Sequence, residues 1–234
     1  MLGIPYDLGA RSYGFTSPSG LTATTRQVQP GSLVVVVLLP NDANTQIVSF
    51  GGDGTGNQYT NLFNMPGAAS LQAISIWYCS NTQFNIPVGR SLGPVATGDA
   101  GAWTGTAVAV TGANGGPDTF NFASSTGAVT STSIATAATA TGVPGLAFGF
   151  IISPTGNQYG SSGHVIVENI TGGTSTIDLF DGQFNGIAYG IIPAGGTVTY
   201  NPSWPTANGY SIAVATFKGG GGFLLNTQSL VANI

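Results

Sequence analysis

Residues able to do acid–base or nucleophilic chemistry are scarce in this sequence, which has one histidine and one cysteine. His164 follows Ser161-Ser162-Gly163, and a serine mechanism needs the histidine within hydrogen-bond reach of the serine oxygen. Cys79 follows Trp77 and Tyr78 in a strand-like segment, where a free cysteine is usually a small buried hydrophobic residue. One histidine and one cysteine also serve zinc poorly. We therefore predict no catalytic residue, no metal centre and no cofactor.

Paired carboxylates are the other groups that hydrolysis uses, since glycosidases work with two flanking acids. Asp178 and Asp181 are the closest pair along the chain. Asp181-Gly182 is a turn signal, however, and Asp178 alternates outward between apolar neighbours. We predict that both acids are solvated and that the chain is not an enzyme.

A glycine-rich loop is the one motif suited to a cation. Gly51 to Asn57 contains four glycines, with Asp53 and Asn57 as oxygen donors beside the backbone carbonyls. Oxygen atoms of these kinds bind calcium, but a single carboxylate makes a weak site. The sequence leaves two interpretations open, a weak calcium site and a plain flexible loop, and favours the second.

Aromatic residues give the sequence its best means of binding a sugar by stacking. Their positions inside alternating, strand-like segments favour core packing instead. The residues concerned are Trp77, Trp103, Trp204, Tyr78, Tyr189 and Tyr210.

Charge is unusually rare, since Asp, Glu, Lys and Arg make up 5% of the 234 residues and the net charge is −4. Typical soluble domains are about 25% charged. A surface of small uncharged residues is typical of a protein that is covered in an assembly. The four cations are far apart in sequence, so we predict that the chain does not bind nucleic acid: Arg11, Arg26, Arg90 and Lys218.

The element that must anchor the fold is Leu33 to Leu39, seven consecutive apolar residues between Pro30-Gly31 and Pro40-Asn41. Four of them are valine, so the run predicts a strand buried on both faces, and it is too short to cross a membrane. No segment has sustained 3.6-residue periodicity. We predict an all-β protein, an antiparallel, jelly-roll-like β-sandwich with extended N- and C-terminal arms. The expected divisions are an arm at 1–20, a sandwich at 21–218 and a glycine-hinged arm at 219–234.

Strands every 8–12 residues complete the predicted sandwich. Edge strands are expected at 21–28 and 84–88, and an exposed strand at 129–135. The remaining predicted strands are 47–50, 71–79, 103–111, 146–152, 165–169, 175–179, 186–192, 197–201 and 210–217.

The pentapeptide Thr-Gly-Asn-Gln-Tyr occurs twice, at 55–59 and at 155–159. An internal duplication of two half-sandwiches would explain it, but the flanking sequences do not align and favour coincidence.

Both chain ends are apolar and are therefore candidate docking arms. Lys218 precedes four glycines, which make a flexible hinge before an apolar segment that is able to add a strand to a partner's sheet. The N-terminus lacks the pattern of a signal peptide, so we expect synthesis in a host cytoplasm. The predicted partner-binding residues are Leu2, Ile4, Tyr6, Phe223, Leu224, Leu225, Leu230, Val231 and Ile234.

Five segments follow one another in a recognisable order: Pro30–Val37, Ala73–Tyr78, Trp103–Val108, Gly145–Phe148 and Tyr210–Lys218. This succession, over about residues 20 to 218, resembles a family of Gly- and Ala-rich β-sandwich proteins of tailed-bacteriophage virions and their prophage relatives. Two positions depart from it, because Gly31-Ser32-Leu33 stands for the family's Gly-Asp-Leu and Phe50-Gly51 for its Gly-Trp. The resemblance implies a structural or adhesive role on the virion, homo-oligomers such as trimers, and no catalytic residues.

Three classes of function follow, in order of preference. The first is a structural virion protein, a capsid decoration or cement protein on the particle surface that binds the major capsid protein or another virion protein. The second is the receptor- or glycan-binding head of a tail fibre or other tail component. The third, a hydrolase, ranks last because the groups it needs are almost absent.

Overall fold

The computed structural model describes residues 6–16, 19–21, 24–40, 47–65, 74–98, 102–111, 113, 115–139, 144–152, 167, 169–173, 177–181, 185–193 and 195–219. All regular structure in these ranges is β-strand, and the strands pair antiparallel. The predicted all-β class is therefore confirmed. Within these residues there is also no helix that could cross a membrane.

Sixteen strands are assigned among the described residues, eight before residue 111 and eight after it. The first eight are β1 Tyr6–Thr16, β2 Ser19–Leu21, β3 Leu33–Pro40, β4 Ile47–Phe50, β5 Thr60–Met65, β6 Ile74–Cys79, β7 Leu92–Thr97 and β8 Ala102–Val110. The second eight are β9 Pro117–Ser131, β10 Ile134–Ala138, β11 Gly145–Ile152, β12 Ile170–Thr171, β13 Ile177–Asp181, β14 Asn185–Ile192, β15 Gly196–Tyr200 and β16 Ser203–Phe217.

The two halves have the same topology. The first forms a five-stranded sheet, β1-β8-β3-β6-β5, and a three-stranded sheet, β2-β7-β4. The second forms β9-β16-β11-β14-β13 and β10-β15-β12, which is the same order with eight added to each strand number. Seven of the eight strands in each half follow a jelly-roll order, and the fifth differs by pairing beside the sixth. The predicted sandwich at 21–218 is thus two sheet pairs, and the first of them begins at β1, before residue 21.

Glycines with positive φ mark the same turns in both halves. Gly52 and Gly172, with φ of 81° and 87°, lie within two residues of the end of the fourth strand. Gly93 and Gly196 both have φ of 146° at the start of the seventh strand. Residues other than glycine rarely adopt these φ angles, so the two halves repeat local backbone geometry as well as topology.

Three apolar layers hold the four sheets together. The central layer lies between the five-stranded sheets and takes alternate side chains of β3, including Leu33, Val35 and Val37. The intervening Val34 and Val36 face the first half's three-stranded sheet. The third layer lies in the second half, between its five-stranded and three-stranded sheets. Every residue of β3 is buried, which confirms the predicted strand with two covered faces.

Ring contacts across the central layer fix how the halves face each other. Tyr78, near the end of β6, packs against Phe217, the last residue of β16, with ring centroids 6.0 Å apart. Phe63 of β5 packs against Phe120 of β9, and β1 approaches β13 on the opposite flank. These contacts indicate that an approximate twofold axis, parallel to the strands, relates the two halves. The end of β16 therefore lies at the same end of the molecule as the loop after β6.

Several predicted segments differ from the structure, including 165–169, where Val167 forms an isolated bridge to Ser203. The predicted strand at 21–28 is β2, ending at Leu21, followed by a single bridge from Val28 to Ile86. Ile86 lies in the predicted strand at 84–88, and the rest of that segment is irregular. The predicted strand at 129–135 instead covers the last residues of β9, the two connecting residues 132–133 and the first residues of β10. Residues 6–16 of the predicted N-terminal arm form β1, which pairs with β8.

The repeated pentapeptide does not mark equivalent places in the two halves. Residues 55–59 lie between β4 and β5, whereas 155–159 fall between β11 and β12, the third and fourth strands of their half. The second copy lies outside the described residues. The two halves are therefore alike in strand order and glycine positions, and the pentapeptide does not mark this likeness.

Candidate interaction surface

The loop between β4 and β5 is built around a buried carboxylate. Asp53 Oδ1 accepts hydrogen bonds from the backbone nitrogen of Thr55 at 2.8 Å and from its hydroxyl at 2.6 Å. Oδ2 accepts from Asn57 Nδ2 at 2.8 Å and from the Tyr59 hydroxyl at 3.1 Å. The backbone oxygen of Asp53 accepts from Arg90 Nε. Asp53 is 1% exposed, so these donors replace the water that a carboxylate requires.

This arrangement bears on the two interpretations of the glycine loop. Both carboxylate oxygens of Asp53 already accept two hydrogen bonds each, so a calcium ion would have to displace them. No group of three His, Cys, Asp or Glu side chains suited to a metal occurs among the described residues. Internal hydrogen bonds thus hold the loop in the described shape and occupy the oxygens that a calcium ion would need.

Asn57 joins this loop to the next one. Its Oδ1 accepts from the backbone nitrogens of Gln83 and Phe84 at 2.8 and 2.9 Å, and its Nδ2 donates to the Phe84 carbonyl at 3.0 Å. These contacts mimic a short backbone ladder between two segments that have no strand. Asn57 is buried, so losing them would leave polar groups without partners.

Two threonines attach a third loop in the same way. Thr82 Oγ1 donates to the Gln29 carbonyl and accepts from the backbone nitrogen of Ser32. Thr24 Oγ1 donates to the Pro87 carbonyl at 2.9 Å. Side-chain-to-backbone bonds thus tie together the segments 24–32, 51–59 and 80–91, which we call the loop platform.

The loop platform exposes apolar side chains. Phe84 is 49% exposed and Val88 61% exposed, and the Phe84 ring lies against Gly56. Loops are usually the mobile part of a β-sandwich, whereas this one is cross-linked at three buried polar residues. A rigid surface that presents apolar groups loses little conformational entropy on binding, which is the property of a preorganised interface.

A cleft of about 310 Å³ opens beside the platform. Backbone of the glycine loop forms its wall, with the side chains of Phe50, Asn57, Gln58 and Tyr59. The Phe50 and Tyr59 rings meet edge to face at 5.1 Å. Burial and, secondarily, the charge of Asp53 raise the pKa of Tyr59 well above its usual value, so this hydroxyl stays a donor at neutral pH.

A second apolar surface lies on the flank where β5 and β9 meet. Phe120 and Phe122 are 43% and 42% exposed and stack on Phe63, with centroid distances of 5.1 and 5.6 Å. We call these three residues the aromatic strip. Exposed aromatic rings on an edge strand are typical of interaction sites.

The predicted reactive residues are accounted for as follows. Cys79 is buried and packs in the layer beneath the first three-stranded sheet, and burial raises its pKa, so it is the small hydrophobic residue that we predicted. His164 lies outside the described residues. Asp178 lies in β13 and pairs with Ala188 of β14, and Asp181 is the last residue of β13. Only the backbone of these two acids is described.

One further motif is present in the sequence but was not among the residues singled out above. Gly89-Arg90-Ser91-Leu92-Gly93 has the Gly-x-Ser-x-Gly spacing of a hydrolase nucleophile elbow, which requires a strand before the serine and a helix after it. Here the serine is exposed, comes after a turn and precedes strand β7. The spacing therefore has the wrong structural context and does not support hydrolysis.

The six aromatic residues considered for sugar stacking belong to the apolar layers or pack against them, as predicted. Trp103, Tyr189 and Trp204 are buried, while Trp77, Tyr78 and Tyr210 are partly buried against the apolar layers. Sequence reasoning missed Phe84, Phe120 and Phe122, because alternation in an edge strand or irregular loop does not say which face is covered.

The predicted arm residues fall almost entirely beyond the described ranges. Tyr6 is the first residue of β1, and its side chain is not described. The others lie outside the described residues: Leu2, Ile4, Phe223, Leu224, Leu225, Leu230, Val231 and Ile234.

No protein-family model and no curated protein matches this chain.

Proposed function

We propose that this protein is a structural component of a bacteriophage particle, a decoration or cement protein that binds neighbouring virion subunits through its β surface and terminal arms. The observation that carries the proposal is the pairing of a nearly uncharged chain with rigid, exposed apolar surfaces, the loop platform and the aromatic strip. Such surfaces are costly for a free monomer and are stabilised when a partner covers them.

The architecture supports the same proposal. Jelly rolls are a common architecture of viral capsid proteins, and of lectins. Two eight-stranded halves share one central apolar layer, so the molecule has a broad body with equivalent surfaces on opposite sides. A body of this kind suits repeated contacts with a lattice of subunits, including homo-oligomers.

The test is the copy number of this chain in purified particles, measured by quantitative peptide mass spectrometry against the major shell protein. We expect copies comparable to those of the shell protein. A few copies per particle would instead place the protein on the tail or at a vertex. Absence from particles would remove the proposal.

The cleft beside the platform favours one alternative, a receptor- or glycan-binding head of a phage tail component. Aromatic edges beside the exposed Gln58 amide are groups that bind sugar hydroxyls, and the volume of about 310 Å³ is at the lower limit of small-ligand sites. A glycan panel would be titrated against the protein and against Gln58→Ala, with Asn85→Ala as a control on another exposed amide. Binding that Gln58→Ala weakens and Asn85→Ala preserves would favour the alternative.

A further inference from the structure

The aromatic strip is presented by a strand that is held firmly in place. Thr119 and Asn121, which alternate with the two exposed rings, bond to the carbonyls of Ala137 and Ala135 in β10. Thr119 also bonds to Thr216 of β16. The face of β9 opposite the rings is thus anchored, and Phe120 and Phe122 are held over Phe63 at the edge of the central layer.

Strand β9 also has an unused edge. It is the last strand of its sheet, and among the described residues it pairs only with β16. Between Thr119 and Val129 it carries no charge and no proline, the two usual means of protecting an edge strand. An uncharged edge beside exposed aromatic rings is suited to an added apolar strand.

The described chain ends beside the start of this strand. The backbone nitrogen of Lys218 donates to the Gly116 carbonyl at 3.0 Å, one residue before β9. Beyond Gly219 come fifteen residues, 220–234, which contain no charged side chain and include Phe223, Leu224 and Leu225. A fully extended segment of fifteen residues spans about 50 Å, which is far more than is needed to pass from one edge of β9 to the other.

The route of the chain argues against this segment returning along β9 of its own molecule. The loop that enters β9 passes directly under the chain end, where a Cβ added at Gly115 would lie 1.8 Å from the Lys218 carbonyl oxygen. A segment reaching the outer edge of β9 in the same molecule would have to cross that loop. Connections that cross at one edge of a sheet are avoided in proteins. A segment from another molecule meets no such obstacle.

We propose that the aromatic strip and outer edge of β9 receive residues 220–234 of a second copy of this chain. The donated segment adds a strand to β9 and places its phenylalanine and leucine side chains over Phe120 and Phe122. This inference rests on the proposed function in one respect, that the terminal arm is an assembly element, and it names the surface that the arm binds.

The experiment uses full-length variants in sedimentation equilibrium. Phe120→Ser/Phe122→Ser removes the receiving surface, and Phe223→Ser/Leu225→Ser removes the donated one. We expect the wild type to self-associate and each variant to do so about 30-fold or more weakly, as for an interface hot spot. Val48→Ser, which changes an exposed apolar residue of β4, should associate like the wild type. Circular dichroism and thermal melting exclude variants that fail to fold.

Mixing the two double variants gives the decisive result. One keeps an intact strip and the other an intact arm, so the mixture should form a complex that neither forms alone. A monomeric wild type, or a mixture that does not associate, would overturn the inference. Self-association without incorporation into particles would leave the inference standing and contradict the proposed function.

Discussion

Asn57 connects two loops through opposite ends of one amide group. Its Nδ2 lies 2.8 Å from Asp53 Oδ2, and its Oδ1 lies 2.8 Å from the backbone nitrogen of Gln83. The buried carboxylate fixes the orientation of the amide, and the amide fixes the position of the segment that carries Phe84. The exposed ring of the loop platform is therefore positioned by a polar network in which every member depends on the others.

Asp53→Ala should destabilise the protein strongly. The substitution removes the acceptor of the Tyr59 hydroxyl and of the Thr55 backbone nitrogen and hydroxyl, and one of the acceptors of Asn57 Nδ2, at about 1–3 kcal/mol for each group left unpaired. We expect a loss of about 2–6 kcal/mol and, for a chain of this size, a lower Tm by about 5–20 °C. Gln58→Ala, one exposed residue of the same loop, should shift the Tm by less than about 2 °C. A Tm unchanged by Asp53→Ala would contradict a structural role for the carboxylate.

Asn57→Ala should loosen the loop platform without unfolding the sandwich. The backbone nitrogens of Gln83 and Phe84 lose their acceptor, so hydrogen exchange at these two amides should rise more than at the strands of the central layer. Asn85→Ala is the matched control, because Asn85 lies on the same platform and its amide oxygen accepts from the exposed Gln27 side chain. Uniform exchange across the platform in both variants would show that Asn57 does not couple the loops.

Tyr59→Phe should change the stability of the protein at alkaline pH. The folded pKa of Tyr59 is raised by burial and by Asp53 above the unfolded value of about 10. The neutral hydroxyl therefore stabilises the fold fully below about pH 10, and this stabilisation is lost as the pH rises through the folded value. Urea midpoints measured between pH 8 and 11 should fall less steeply in Tyr59→Phe. Parallel curves for the two proteins would contradict this assignment.

Gly149→Ala should disrupt the third apolar layer. A Cβ at this position would lie 2.4 Å from Cδ2 of Tyr200, whose ring is fully buried. Overpacking of this kind costs about 1–3 kcal/mol, or more where the neighbour is rigid. Gly116→Ala, where a Cβ meets nothing within 4 Å, should leave the chemical denaturation midpoint nearly unchanged. Equal midpoints for the two variants would show that the Tyr200 ring can shift.

Cys79 should react slowly with thiol reagents in the native protein. Burial raises the pKa of its thiol, so little of the reactive thiolate is present at neutral pH, and the side chain is covered by the surrounding layer. Labelling followed by mass spectrometry should proceed at the rate of unfolding and become fast in denaturant. Rapid labelling of the native protein would contradict the burial of Cys79.

The sequence determined the fold class and the central strand, because local signals were sufficient for both. Seven apolar residues rich in valine between turn formers can be satisfied only by a strand covered on two faces, and β3 is such a strand. Predicted strands at 146–152 and 186–192 correspond to β11 and β14 within a residue for the same reason. Their side chains are buried whichever partners they have.

Tertiary structure alone decided which irregular segments are ordered and which aromatic residues are exposed. The glycine loop has no local signal for order, since its shape depends on Asp53 and on partners up to 37 residues away, such as Arg90. Phe120 and Phe148 look alike in sequence, yet one lies on an edge strand and the other between two sheets. Strand order sets this difference, and strand pairing is a non-local choice that no short stretch of residues encodes.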